Sequence, residues 1–272
     1  MQLAHLQKIA VFRALQLGDM LCAIPAFRAL RQAYPGAHMA LVGLPWAQTL
    51  ADRFPRYVDE LIVFPGYPGL PEQQPDLPRI PGFLSYMQQR QFDLVLQLQG
   101  NGSVVNPLVT LWNGRYTAGF YRDADYCPGK LFLNYPDTVH EIQRHLLLLQ
   151  HLGITATDTR LEFPLYEQDA RALQSLQLPV LPQQYVCIHP GSRDAARQWP
   201  PELFALLGNR CAAAGLQVVL TGTANEAPLT AAVKAAMTYP AIDTAGLTGL
   251  GAMGMLLKNA FALVANCTGV SH

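Results

Sequence analysis

Ile9-Ala10-Val11-Phe12-Arg13-Ala14-Leu15-Gln16-Leu17-Gly18-Asp19-Met20-Leu21 is the stretch that decides the fold. Its first four residues are apolar and β-prone, a short buried strand. Gly18-Asp19 reads as a turn, and Met20, Leu21, Ile24, Phe27, Ala29 and Leu30 recur at helical spacing until Tyr34-Pro35-Gly36 stops them. The strand-loop-helix unit then repeats, with strands expected over 39–42, 60–64 and 93–98 and helices over 46–54, 83–90 and 139–152. Between 65 and 82 stand six prolines and three glycines, read as one long loop, either a plain surface connection or a lid that contacts substrate. A helix over 167–178 precedes the break Pro179-Val180-Leu181-Pro182. A second alternation follows, with strands over 185–189, 217–221, 241–243 and 261–265 and helices over 201–214, 225–237 and 251–258. Strands alternating with helices imply parallel sheets covered on both faces. The expectation is an α/β chain with a first domain over 1–166, a connector over 167–182 and a second domain over 183–272. The last strand is followed by Asn266-Cys267-Thr268-Gly269-Val270-Ser271-His272, a turn of the kind that starts a helix, so the second domain is expected to be incomplete.

Composition narrows the function classes. The 272 residues carry 19 basic and 19 acidic side chains, which argues against a nucleic-acid tail or a polybasic membrane clamp. Half of the residues are hydrophobic and 14% charged, enough apolar surface for a core and too little charge for disorder. The five cysteines form no C-x-x-C pair, which points away from a disulfide scaffold or zinc ribbon and towards a reducing compartment. No signal peptide or spanning apolar run is visible, so the expected location is cytoplasmic.

Three turns at strand ends carry the candidate chemistry, the place where open α/β sheets bind ligands. Gly18-Asp19 on its own reads as a helix cap or a partner for the helix dipole. His189-Pro190-Gly191-Ser192-Arg193 with Arg197-Gln198-Trp199-Pro200 offers backbone N–H groups, a hydroxyl and two arginines, either an anion site or a turn with solvated arginines. Cys267-Thr268-Gly269 can cradle a diphosphate; Cys267 reads as a small buried residue in preference to an activated thiol. Three patterns carry no chemistry. Gly249-Leu250-Gly251-Ala252-Met253-Gly254 starts no βαβ unit and reads as a helix start. His140-Glu141-Ile142-Gln143-Arg144-His145 has Arg144 where a zinc protease needs its second histidine, so no metal is expected. Asn101-Gly102-Ser103 and Asn266-Cys267-Thr268 are glycosylation sequons by pattern only.

In this order and spacing the segments resemble glycosyltransferase family 9, the lipopolysaccharide heptosyltransferase family, over nearly the whole chain. The residues that carry the resemblance are 11–21 with Pro25-Ala26-Phe27-Arg28-Ala29-Leu30, then His189-Pro190-Gly191-Ser192 with Arg197-Gln198-Trp199-Pro200, then Val219-Leu220-Thr221-Gly222 with Glu226, and finally 266–272. The resemblance implies a GT-B architecture, two Rossmann-like domains facing a cleft, with the nucleotide-sugar donor on the second and the acceptor on the first. It implies metal-independent, inverting transfer of a heptose or related sugar, from ADP-heptose, to a lipopolysaccharide inner-core or related glycan, with no cofactor. Asp19 falls on the family's general base, Glu226 on the acidic residue that meets the donor ribose, and Arg197 on a basic donor-side residue. Ser192, Cys267, Thr268 and Gly269 fall on the diphosphate side, Arg13 and Gly18 on the acceptor-side turn. The lipid-linked acceptor implies transient contact with the inner membrane, and nucleic acid is not an expected partner. Where the family usually has Asp-Thr-Gly this chain has Cys267-Thr268-Gly269. The backbone cradle survives that change and any work of the aspartate side chain does not. The alternative is a catalytically degenerate nucleotide-sugar-binding protein of the same fold.

Overall fold

The computed structural model describes residues 3–123 and 125–272. It divides into two compact units, Met1–Glu162 and Phe163–His272.

The first unit runs β1 (Lys8–Phe12), α1 (Leu17–Ala33), β2 (His38–Gly43), α2 (Gln48–Ala51), β3 (Glu60–Val63), α3 (Ile80–Arg90), β4 (Leu94–Gln97), α4 (Val105–Thr110), β5 (Tyr116–Tyr121), β6 (Phe132–Asn134) and α5 (Glu141–His151). Its sheet has the order β3-β2-β1-β4-β5-β6, and every pairing is parallel. Ile9, Ala10, Val11 and Phe12 are wholly buried, as a strand covered on both faces requires. Beneath one face Phe12 meets Phe64 and Trp112 edge to face, and Phe83 closes on Phe64 and Trp112 in the same way, a geometry that suits aromatic quadrupoles. Elsewhere in the unit α1 packs on α5.

The second unit runs α6 (Glu167–Ser175), β7 (Tyr185–His189), α7 (Pro201–Ala213), β8 (Gln217–Leu220), α8 (Ala227–Ala236), β9 (Ala241–Asp243), α9 (Leu250–Asn259) and β10 (Ala262–Ala265). Its sheet is again parallel, in the order β10-β7-β8-β9. In both sheets the chain reverses its direction of travel next to the first strand of the unit. The switch point lies between β1 and β4 in one and between β7 and β10 in the other.

Several elements differ from the sequence expectation. β5, β6 and α4 are additional. The expected helix over 46–54 is a 3-10 turn, Pro45–Ala47, and the short α2. The loop expected up to 82 ends earlier, because Pro81 sits in the first turn of α3, where its missing N–H costs nothing. The segment 167–182 lies in the second unit, where α6 packs on α9. Among the described residues no helix is long and apolar enough to cross a membrane.

Candidate functional site

The first switch point carries Arg13, Gly18 and Asp19. Asp19 stands in the first turn of α1, exposed, on the side of the turn that buried Gly18 does not occupy. It is not the helix cap: that position is Gln16, whose side chain makes no capping bond. Its carboxylate adds a negative charge where the helix dipole is positive, and it accepts no hydrogen bond among the described residues.

Arg13 is fully buried and ties this turn to two other elements. Its Nε donates to the Asp19 carbonyl at 2.9 Å, its Nη2 to Glu141 Oε1 at 3.0 Å, and its Nη1 to the Leu98 carbonyl beyond β4 and to His145 Nε2 at 3.0 Å. An arginine cannot accept, so His145 presents a bare Nε2 and donates from Nδ1, at 3.4 Å, to the Cys22 carbonyl of α1. Burial, joined by the Arg13 charge, pushes His145 down to about 4 against the pull of Glu141, which keeps the imidazole neutral near pH 7. Burial alone would raise the Glu141 carboxyl; the Arg13 guanidinium, 3.0 Å from Oε1, holds it well below the usual carboxylate range. Arg144 closes the cluster, donating to Glu141 Oε2 and lying 4.3 Å from the Tyr135 ring centroid. On the β4 side, Gln99 Oε1 accepts from the Ala14 N–H at 2.7 Å and Gln97 Nε2 donates to the Gln99 carbonyl at 2.8 Å.

The second switch point gathers the other candidates. Ser192 is buried, and its hydroxyl donates to the Cys267 carbonyl at 3.5 Å, joining the turn after β7 to the turn after β10. Asn266 braces the same two turns more firmly: its Nδ2 donates to the Pro190 carbonyl at 2.6 Å and its Oδ1 accepts from the Trp199 N–H at 3.2 Å. Thr268 and Gly269 begin a 3-10 turn, Gly269–Ser271. Cys267 is exposed, contrary to the small buried residue expected at that place. Its neighbour Asn266 takes the buried position because its amide has the partners.

Glu226 Oε2 accepts from the Thr223 N–H at 2.7 Å and from the Thr223 hydroxyl at 2.9 Å, a capping box that opens the turn Ala224–Glu226 before α8. The carboxylate lies flat on Gly191: a Cβ there would meet Glu226 Oε1 at 1.9 Å. His189, buried, pairs its Nδ1 with the Thr221 hydroxyl at 3.1 Å and turns Nε2 towards Glu226 Oε2 at 3.9 Å. Burial lowers the His189 pKa, and Glu226 pulls the other way. Arg197, exposed, lies in the turn after β7 with its Nε 3.5 Å from Asp194 Oδ2.

The candidates thus fall into two groups, Arg13, Gly18 and Asp19 in one unit and Ser192, Arg197, Glu226, Cys267, Thr268 and Gly269 in the other. The sequence alone does not mark Glu141, His145 or Gln99 as working parts, and it offers His189, Gly191 and Asn266 only as members of candidate turns, without the Thr221, Glu226 and Pro190 contacts they make. Glu141 and His145 did stand in a noticed pattern, but their common partner Arg13 lies more than a hundred positions away.

The family described as glycosyltransferase family 9 (heptosyltransferase) matches residues 83–272. No curated protein matches the sequence. Among solved structures, the glycosyl transferase family 9 protein from Veillonella parvula DSM 2008 is similar with a TM-score of 0.78 at 22% identity, over 99% of this chain and 77% of that one. The E. coli ADP-heptose lps heptosyltransferase II gives 0.77 at 22% identity, over 98% of this chain and 81% of that one. The E. coli heptosyltransferase WaaC with ADP-2-deoxy-2-fluoro heptose gives 0.69 at 18% identity, over 98% and 84%. At such identities the likeness is one of fold, two Rossmann-like units of the GT-B class.

Proposed function

Because this chain belongs to glycosyltransferase family 9, we propose that it is a transferase moving a heptose or related sugar from a nucleotide-diphosphate sugar, ADP-heptose, to a lipopolysaccharide inner-core or related lipid-linked glycan. The reaction inverts the anomeric centre and uses neither metal nor cofactor. Asp19 is the general base. It takes the proton of an acceptor hydroxyl as that oxygen bonds to the anomeric carbon, and the bond from that carbon to the diphosphate oxygen breaks on the opposite face. A carboxylate so placed contributes about 10²–10⁴-fold. The departing diphosphate gains charge, which the Ser192 hydroxyl, Arg197 and the backbone N–H groups of Thr268 and Gly269 offset, in the role a divalent cation has in metal-dependent transferases. Glu226, oriented by Thr223 and Gly191, accepts from the donor ribose. The lipid-linked acceptor brings the protein to the inner membrane from the cytoplasm for each turnover.

The observation that carries this reading is the placement of Asp19: an exposed carboxylate, on a turn fixed by a buried arginine, at the switch point of a parallel sheet. Cys267, in the position where the family usually has aspartate, favours a second reading, a binding protein without turnover. Incubation with ADP-heptose and a lipid A–inner core acceptor separates the two. Release of ADP together with a product heavier by one heptose supports the transferase. A rise in melting temperature with ADP and no product supports the binder.

A further inference from the structure

The Asp19 carboxylate has no hydrogen bond of its own among the described residues, so what the fold fixes is the backbone of the first turn of α1 from which it extends. That turn also lacks the ordinary device for fixing a helix start, since the Gln16 side chain makes no capping bond. Beside the backbone bond from the Met20 N–H to the Gln16 carbonyl at 3.0 Å, what holds it is the Arg13 guanidinium, through the Asp19 carbonyl at 2.9 Å. Arg13 is not at liberty to shift: Leu98, His145 and Glu141 take its remaining nitrogens, and Arg144 takes the other oxygen of Glu141. His145 grips α1 a second time through the Cys22 carbonyl, one turn on. Burying so many polar groups is costly, and apolar packing of equal volume would hold the fold as well or better. What apolar packing cannot supply is a fixed fork aimed at one carbonyl.

We infer that Arg13, oriented by His145 and Glu141, positions the Asp19 carboxylate for proton transfer and is a positioning residue of the reaction. This rests on the reading of Asp19 as general base. A displacement of about 1 Å in a reacting group costs up to roughly a hundredfold in rate, so loosening this clamp lowers kcat and leaves substrate binding as it was.

The experiment is a double-mutant cycle on turnover with ADP-heptose and the lipid A–inner core acceptor. His145→Leu, which can neither accept from Arg13 nor donate to Cys22, is expected to lower kcat about ten- to a hundredfold with both KM values within about twofold. His145→Gln presents an acceptor and a donor and is expected to recover turnover to within about threefold of wild type. In an Asp19→Asn background His145→Leu is expected to cost less than about twofold more, because the group it positions is already gone. Full losses in both backgrounds, or no loss in the Asp19 background, overturn the positioning role. Should His145→Leu fail to fold, Arg13→Lys, which keeps the charge and loses the fork, enters the same cycle with the same expectations. Near-normal turnover of Asp19→Asn alone overturns the general-base reading itself, a different result from additive His145 losses on a base-dependent enzyme.

Discussion

Gly191→Ala puts the smallest available perturbation at the candidate donor site. The added Cβ would stand 1.9 Å from Glu226 Oε1 and 2.3 Å from Glu226 Cδ, well inside contact distance. Gly191 is not among the glycines of positive φ, so the cost is one of space and not of backbone strain. The obstructing atoms are the far end of a flexible side chain, and the carboxylate swings away. In doing so it leaves the Thr223 N–H and hydroxyl, which it now receives at 2.7 and 2.9 Å. Loss of such a cap costs about 0.5–2 kcal/mol. In a unit of this size that lowers Tm by roughly 2–8 °C. If Glu226 holds the donor ribose, ADP binding loses a hydrogen bond to a charged group, about 1.5–3 kcal/mol, or roughly ten- to a hundredfold in Kd. Thermal melts give the first quantity and calorimetric titration with ADP the second. Because the two side chains touch, Gly191→Ala/Glu226→Ala is expected to behave no worse than Glu226→Ala alone. Gly191→Ala with unaltered Tm and ADP affinity, or a double variant in which the two losses add, would refute the reasoning.

Acid should unfold the first unit early. His145, faced by Arg13, Glu141 and the Cys22 carbonyl, is pushed down to about 4 in the folded protein from an ordinary 6.5, and Glu141 is lowered too. Both folded values lie below the unfolded ones, so the unfolded chain binds more protons in acid. The stability from His145 is complete above about pH 6.5 and falls away towards pH 4, with Glu141 adding a further loss below pH 4.5. Urea midpoints across pH 4–7 check this, and His145→Gln should flatten the slope between 4 and 6.5. Maleimide should label exposed Cys127 and Cys267 in the native protein and reach buried Cys187, whose thiol burial pushes up to about 12, only on unfolding. ADP should slow labelling of Cys267 and leave Cys127 unaffected; equal protection of both, or of neither, counts against the donor site. Asn266→Ala strips the Pro190 carbonyl of its partner and should cost about 1–3 kcal/mol in equilibrium unfolding, with weaker ADP binding. A loss under about 0.5 kcal/mol would show that the brace is idle.

How far the sequence goes depends on the range of the contacts involved. The strands Tyr185–His189 and Ala241–Asp243 match their expected bounds because apolar runs between turn residues are local signals. β5, Tyr116-Thr117-Ala118-Gly119-Phe120-Tyr121, escapes the same reading. Its glycine weakens the strand pattern, and the reason for that glycine is tertiary: a Cβ at 119 would meet Gln97 Oε1 at 2.6 Å. Turns at strand ends could be read as sites because glycine, serine and threonine there are informative by themselves. What those turns are tied to could not. Arg13 reaches its partners across 85, 128 and 132 positions of sequence, and Asn266 reaches Pro190 across 76. Cys267 shows the limit in the other direction. Residue type made it a small buried filler, while the hydrogen-bonding capacity of its neighbour decided which of the two went inside.

The central claim is that Asp19 removes the proton from the acceptor hydroxyl. Turnover of Asp19→Asn with ADP-heptose and the lipid A–inner core acceptor, measured beside the melting shift produced by ADP, tests it most directly. The substitution keeps size and removes the base, so kcat is expected to fall by at least about a hundredfold while the ADP shift stays at its wild-type value. Turnover near the wild-type rate in a variant that still binds ADP would contradict the account.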